Sequence, residues 1–96
     1  MNLNYSNEEL NAIEYYASLL FSPIDIAIVL EKDSRLFLSD FKNNECNIKN
    51  RYYKGSLVTQ AKLRKKLIDL AHDGSNTAIT DTLKILKDLE YNLALL

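Results

Sequence analysis

The chain has 96 residues, of which 47% are apolar and 26% charged, and its formal net charge is −1. These values are close to the averages for globular proteins, so they exclude a wholly disordered chain and fit one domain spanning residues 1–96. Two glycines and one proline are too few for the turns of a small β-sandwich or barrel, and we therefore expect an all-α fold.

The first two predicted helices begin at capping signals. Ser6 and Glu9 have the spacing of a capping box, which predicts a first helix over about residues 7–20. Ser22 is a favoured N-cap, and the proline that follows it is tolerated in a first turn because its missing N–H is no loss there. This pair predicts a short second helix over about residues 23–31.

A third short helix follows a polar turn. Either Asp33 or Ser34 can cap it, and the pair Asn43–Asn44 ends it. The small side chain of Ala27 suits a tight crossing between the second and third helices. Two short helices joined by a short polar turn match a helix-turn-helix, here within about residues 7–44.

The fourth predicted helix is long and has two distinct faces. Helical periodicity extends from about Cys46 to His72, although Gly55 weakens its middle by roughly 1 kcal/mol relative to alanine. We therefore expect a kink or a break at this glycine. The apolar side of the helix consists of Ile48, Tyr52, Tyr53, Leu57, Thr59, Leu63, Leu67, Ile68, Leu70 and Ala71.

A fifth helix, capped by Ser75 or Asn76, completes a two-helix extension over residues 46–96. Its predicted inner side consists of Ile79, Leu83, Ile85, Leu86, Leu89 and Leu93. An overlapping seam with heptad-like spacing can pack on its own domain or on a second copy of the chain. Because the chain end is unusually apolar, we expect a homo-oligomer whose interface contains Leu86, Leu89, Leu93 and Leu96.

The residue inventory excludes several classes of chemistry. One cysteine, Cys46, and one histidine, His72, leave no internal disulfide and almost no soft metal ligand. Neither a nucleophile–base pair nor a glycine-rich phosphate loop is visible, so we expect no enzyme, cofactor or metal. No secretory signal is visible, and the apolar runs are far shorter than the roughly 20 residues that span a bilayer. We therefore expect a soluble, cytoplasmic protein with no membrane partner.

Charge is distributed unevenly along the chain. Residues 1–45 carry a net charge of −5, residues 46–68 carry +7 and residues 69–96 carry −3. The seven bases of the middle segment are Lys49, Arg51, Lys54, Lys62, Arg64, Lys65 and Lys66. Four of them, Arg51, Lys54, Lys62 and Lys65, fall within about 80° on one side of the helix, where they can replace counterions along a phosphate backbone. The predicted phosphate contacts are these four together with Lys49 and Lys66. The alternative is a solvated helix face whose cations offset acids elsewhere in the fold.

The third helix offers candidate base contacts. If it enters a major groove, the side chains that face the bases are Arg35, Ser39, Lys42 and Asn43. Three acids in the same segment, Asp33, Asp40 and Glu45, oppose phosphate binding. The tyrosines at positions 52 and 53 could stack on an unpaired base, although we expect both of them in the core.

Three sequence segments resemble phage terminase small-subunit-like helix-turn-helix proteins. They are SPIDIAIVLEKD at 22–33, FLSDF at 37–41 and the stretch from RYYKG to AHDGS at 51–75. Glu31 stands where such proteins usually have glycine. The resemblance implies a DNA-binding factor that recognises double-stranded packaging DNA, oligomerises and hands the DNA to an ATP-driven terminase large subunit. The alternative function is a protein–protein adaptor that does not bind DNA and whose binding surfaces are the acidic N-terminal half and the apolar C-terminal end.

Overall fold

The computed structural model describes residues 4–43 and 46–96, and every regular element in those two ranges is an α-helix. The predicted all-α fold is therefore confirmed. The helices are α1 (Asn7–Ser18), α2 (Pro23–Val29), α3 (Ser34–Lys42), α4 (Ile48–His72) and α5 (Asn76–Ala94). Asn44 and Glu45, which the sequence assigned to the end of the third helix, lie outside the described residues.

The chain packs as two compact units, Met1–Gln60 and Ala61–Leu96. The sequence placed the start of the C-terminal extension near residue 46. The structure instead assigns the first half of α4 to the N-terminal unit. Ile48, Gly55 and Ser56, all in that half, are the buried residues of this helix.

The capping residues follow the sequence signals closely. Ser6 and Glu9 form both hydrogen bonds of the predicted capping box, and Ser22 caps α2. Two open alternatives are resolved, because Asp33 caps α3 and Ser75 caps α5. Each of these side chains accepts hydrogen bonds from backbone N–H groups that have no partner inside the helix.

Two helices end earlier than predicted. α1 ends at Ser18 because Leu20 has a left-handed backbone (φ 68°), and α2 ends at Val29 because Glu31 does too (φ 57°). A left-handed residue cannot continue a right-handed helix. Apolar periodicity does not report this change, because Leu19 and Leu20 keep the first segment apolar beyond its last helical residue. After α2, Leu30 extends the apolar pattern by one residue.

The core of the N-terminal unit joins all four of its helical segments. α2 packs directly against α3, and Ala27 is fully buried, as its small side chain predicted. The fully buried apolar residues are Ile13, Ala17, Ile26, Ala27, Phe37 and Ile48. This core fixes α3 by its inner face and leaves the other face of α3 to solvent.

Helix α4 is continuous through Gly55, so a break at this glycine, one of the two predicted alternatives, is wrong. The glycine is buried where α1 crosses α4. A β-carbon at this position would lie 2.0 Å from the backbone oxygen of Glu14 and 3.2 Å from the β-carbon of Ala17. Gly55 therefore permits a close helix–helix approach, which outweighs its low helix propensity.

The C-terminal unit has almost no core of its own. It contains the second half of α4 and all of α5, joined by a turn in which Gly74 has φ 95°. Ala78 is its one buried residue. The predicted inner side of α5 is wrong, because its large apolar residues are exposed except for the half-buried Ile85. Periodicity located an apolar face correctly but could not show what covers it.

No helix within residues 4–43 and 46–96 combines the length and apolar character that a membrane-spanning segment needs.

Candidate nucleic-acid interface

A four-residue turn joins α2 to α3 in a helix-turn-helix arrangement. Within it, Glu31 takes the left-handed conformation (φ 57°), and the N–H of Lys32 donates to the Ala27 carbonyl over 2.9 Å. The sequence departs from the resembled family at position 31, where a glutamate replaces a glycine. The backbone of Glu31 adopts a conformation that glycine favours.

The inner face of α3 carries a buried acid. Asp40 is fully buried beside Phe37, and the Tyr5 hydroxyl donates to its Oδ2 over 2.9 Å. Burial raises the pKa of the Tyr5 phenol above its usual value, and the neighbouring Asp40 carboxylate adds to this effect. Lys32 lies above the Tyr5 ring, 5.7 Å from its centroid, and also pairs with Glu9.

The outer face of α3 is exposed and cationic. Arg35, Ser39 and Lys42 are all exposed, and their spacing of four and three residues places them within about 60° of one another. No acidic side chain is exposed on the helical residues of α3, 34–42. The exposed charged side chains within α3 are therefore all cationic, and the exposed acid next to this helix in sequence is its N-cap, Asp33.

Two of the three acids that the sequence predicts to oppose DNA binding have structural roles in the fold. Asp33 is the N-cap, and its Oδ1 accepts from the N–H groups of Arg35 (3.0 Å) and Leu36 (3.1 Å). Asp40 points into the core. Glu45 lies outside the described residues. Asn43, which was grouped with the base contacts, is half-buried at the C-cap.

The α4 cations of the N-terminal unit are partly engaged within the fold. The Arg51 Nε donates to Glu14 Oε1 over 2.9 Å, and its guanidinium also contacts the Asn11 side-chain oxygen. Lys54 Nζ lies 3.8 Å from the same carboxylate oxygen, and Lys49 is half-buried. Glu14 therefore offsets part of the positive charge that the sequence left unopposed.

The α4 cations of the C-terminal unit are more exposed. Lys62, Arg64 and Lys66 are exposed, and so is Lys65, whose Nζ lies 3.2 Å from Asp69 one helical turn later. An exposed pair at this spacing is weak, on the order of 0.3–0.5 kcal/mol. The side chains of these four residues are therefore accessible to solvent and to anions.

The paired tyrosines of α4 differ in their environments. Tyr52 is half-buried against Phe41, and its hydroxyl donates to the Phe21 carbonyl over 2.8 Å. Burial raises the pKa of its phenol. Tyr53 is exposed, so the expectation of a core position fails for this residue.

The N-terminal unit also has an open groove of about 350 Å³ between α1 and α4, next to Gly55. The residues that line it are Asn11, Glu14, Tyr15, Ser18, Gly55 and Val58. The Glu14 carboxylate at this groove already pairs with Arg51. Among the described residues there is also no cluster of three or more His, Cys, Asp or Glu side chains that could bind a metal ion.

Sequence reasoning missed two residues that shape this surface. Glu14 neutralises Arg51 from a position 37 residues away, and no local pattern could have revealed the pair. The burial of Asp40 had a signal, because it follows the core residue Phe37 by three positions and so shares its helical face. A carboxylate on an otherwise apolar helix face is therefore the sequence signal that indicates a buried acid.

The comparisons with known proteins leave this geometry without an assigned relative. Arg35, Ser39 and Lys42 form the exposed face of α3, and the cations of α4 occupy both compact units. The resemblance to terminase small subunits stays a prediction based on short sequence motifs. No protein-family model, no curated protein and no solved structure matches this chain.

Proposed function

We propose that this protein is a non-enzymatic, double-stranded DNA-binding factor that inserts the outer face of α3 into a major groove. The observation that carries the proposal is the composition of that face. Arg35, Ser39 and Lys42 are aligned and exposed, while Asp40 is turned inward and Asp33 is used as a cap. A helix that follows a short turn and presents donors outward has the form that fits a major groove.

The three side chains have different expected roles. Recognition helices contact base edges mainly through their N-terminal residues, and Arg35 is the second residue of α3. Its guanidinium can donate two hydrogen bonds to a guanine edge. Ser39 lies one turn further on and can donate to or accept from a base or a phosphate. Lys42, in the last turn, meets a backbone phosphate and adds affinity that does not depend on sequence.

Exposed cations of α4 are proposed as additional phosphate contacts. Lys54, Lys62 and Lys66 are exposed, and the pair of Lys65 with Asp69 is weak enough to be replaced. Arg51 and Lys49 contribute less, because the first is held by Glu14 and the second is half-buried. Each phosphate contact releases condensed counterions and so gives a salt-dependent gain in affinity.

The resemblance to phage terminase small subunits extends the proposal to a biological setting. It implies a cytoplasmic homo-oligomer that recognises packaging DNA and hands it to a terminase large subunit. The proposed oligomer interface contains Leu86, Leu89, Leu93 and Leu96, all of which are exposed. Oligomerisation would raise affinity for DNA, because a second linked contact binds at high effective concentration.

Selection from a randomised duplex library, followed by titration of the selected duplex, tests the DNA proposal. Arg35→Ala is expected to reduce the preference for the selected sequence over random duplex by about tenfold. Lys42→Ala should weaken binding to both duplexes by similar factors. Lys84→Ala is the control, because it removes an exposed cation of α5 that the proposal does not use.

Salt dependence gives an independent measure of the phosphate contacts. If Lys42, Lys54, Lys62 and Lys66 each neutralise one phosphate, the logarithm of affinity should fall against the logarithm of salt with a slope of about −3.6. The double change Lys62→Glu and Lys66→Glu should flatten this slope for every duplex. The absence of binding to any duplex at about 50 mM salt would overturn the proposal.

A protein–protein adaptor is the second candidate function. The observation that favours it is the number of exposed apolar side chains in the N-terminal unit, among them Leu20, Ile24 and Ile28. Ile24 and Ile28 are one helical turn apart on α2, and adjoining exposed apolar side chains often mark a protein interaction site. A chain that binds no duplex, but whose partner binding is abolished by Ile28→Lys, would favour the adaptor over the DNA-binding factor.

A further inference from the structure

The C-terminal unit is too small to be stabilised by its own packing. It contains 36 residues, Ala61–Leu96, and its one buried residue is alanine. Units of fewer than about 40 residues usually need a disulfide, a metal or association with another chain. The unit contains no cysteine, and no metal-binding cluster occurs among the described residues. Of these three, association with another chain is the one that the residues of this unit favour.

Each helix of this unit has an exposed apolar stripe. On α4, Leu63 and Leu70 are seven residues apart and lie within about 20° of each other. On α5, a second stripe consists of Ile79, Leu83, Leu86 and Leu93, which are four, three and seven residues apart and so lie on one side of the helix. Leu89 lies at the edge of this stripe. Stripes with this periodicity pack against equivalent stripes of another helix pair.

The apolar area on these stripes is close to what a stable dimer buries. Their seven large side chains, Leu63, Leu70, Ile79, Leu83, Leu86, Leu89 and Leu93, are between 39% and 57% exposed. At roughly 80 Å² each, they present on the order of 550 Å² of apolar surface per chain, against about 800 Å² per partner in a standard interface. The flanking polar side chains at the rim account for the difference.

The charges on α5 permit it to associate with a copy of itself. The helix carries two lysines, Lys84 and Lys87, and three acids, Asp81, Asp88 and Glu90. A nearly neutral helix with interspersed signs does not repel its copy, and opposite charges can meet across a two-fold axis.

We infer that the helix pair of residues 61–96 docks with the same helix pair of a second chain to form a closed, two-fold four-helix bundle. The interface is formed by the stripes of both helices and not by the α5 seam alone. Leu63 and Leu70 are thereby assigned to the interface together with the α5 leucines. The inference rests on the oligomeric part of the proposed function and does not depend on DNA binding.

The solution mass of the full chain, measured by light scattering or sedimentation without DNA, tests this inference. At about 100 μM the parent should have twice the mass of one 11.0 kDa chain. Leu83→Glu and Leu70→Glu should each raise the dissociation constant at least about tenfold, because each places a charge in an apolar interface. Leu57→Glu is the matched control, since this leucine of the N-terminal unit is 55% exposed, against 52% for Leu83.

Thermal unfolding provides a second measurement if a variant is poorly folded. The Tm of the parent should rise with protein concentration, because the dimer is favoured by mass action. Leu57→Glu should keep this dependence, and Leu83→Glu should lose it.

Four outcomes would overturn the inference. They are a monomeric parent at about 100 μM, an assembly larger than a dimer, equal effects of Leu57→Glu and Leu83→Glu, and a Leu70→Glu variant that dimerises like the parent. The last result would confine the interface to α5. A dimer that binds no duplex would leave this inference intact and would overturn the DNA proposal alone.

Discussion

At the scale of single residues, the two glycines act by different physical mechanisms. Gly74 follows α4 in a left-handed conformation (φ 95°), with open space where a β-carbon would be. Gly55 has ordinary helical geometry, but the α1 backbone lies against it. The first glycine is needed for its backbone angle and the second for its lack of a side chain.

Gly55→Ala is therefore expected to lower the free energy of unfolding by about 1–3 kcal/mol, although alanine is the better helix former. The new β-carbon would lie 2.0 Å from a carbonyl oxygen of α1, and backbone cannot move aside as a side-chain end can. Urea unfolding measures the difference. Gly74→Ala should also destabilise, by about 1 kcal/mol, while Gly74→Asn should cost less because asparagine tolerates this conformation. If Gly55→Ala were more stable than the parent, α1 and α4 would have to move apart to admit the β-carbon. That result would contradict the prediction.

At the scale of helices, α3 has no exposed acid among its helical residues, and the carboxylate of Asp33 lies at its N-cap. Asp33 satisfies two N–H groups at the helix start, and Asp40 points inward to Tyr5. The exposed face is consequently left to Arg35, Ser39 and Lys42. Different residues therefore provide the N-cap of α3, its contacts with the core and its exposed surface.

Substitution of Asp33 separates its capping role from its charge. Asp33→Ala removes both cap hydrogen bonds and should lower the free energy of unfolding by about 1 kcal/mol. Asp33→Asn keeps a capping oxygen, so its stability should stay within a few tenths of a kcal/mol of the parent. Loss of the negative charge beside the DNA-facing side should raise duplex affinity about threefold. Urea unfolding and duplex titration of both variants check these effects, and an Asp33→Ala variant as stable as the parent would contradict the capping role.

At the scale of the whole molecule, the segment before α1 is tied to the core through Tyr5. Its hydroxyl donates to Asp40, which is 35 residues away, and its ring packs edge-on against Phe37 with the centroids 6.1 Å apart. Burial and the neighbouring carboxylate raise the pKa of this phenol in the folded state. The folded chain therefore keeps the Tyr5 proton at a pH at which the unfolded chain loses it.

This difference predicts a loss of stability at alkaline pH. The contribution of Tyr5 is complete below the ordinary tyrosine pKa of about 10 and is lost as the pH rises above that value. Tyr5→Phe should lower stability at about pH 8 by about 1–3 kcal/mol, because the buried Asp40 carboxylate loses the hydrogen bond that the Tyr5 hydroxyl donates. The same variant should lose less stability than the parent between about pH 8 and about pH 11. Tyr91→Phe, which removes an exposed phenol, should follow the parent, and identical pH profiles for all three chains would exclude this role of Tyr5.

The sequence by itself determined the local features of this protein. Caps such as Ser6–Glu9 and Ser22 were predictable because each hydrogen bond connects residues three positions apart. The number of helices followed from the same signals together with apolar periodicity. Arg35, Ser39 and Lys42 were identified as candidate contacts because residues four and three positions apart share a helix face.

Tertiary structure decided every feature that depends on a distant partner. Periodicity assigns a residue to a face but does not show what that face meets, so it could not predict the Arg51–Glu14 pair or the close approach at Gly55. For the same reason the apolar side of α5 was predicted to be buried, whereas the structure leaves Leu83 and Leu86 exposed. The sequence therefore determines which residues are available for contact, and the packing of elements far apart in the chain decides which of them remain at the surface.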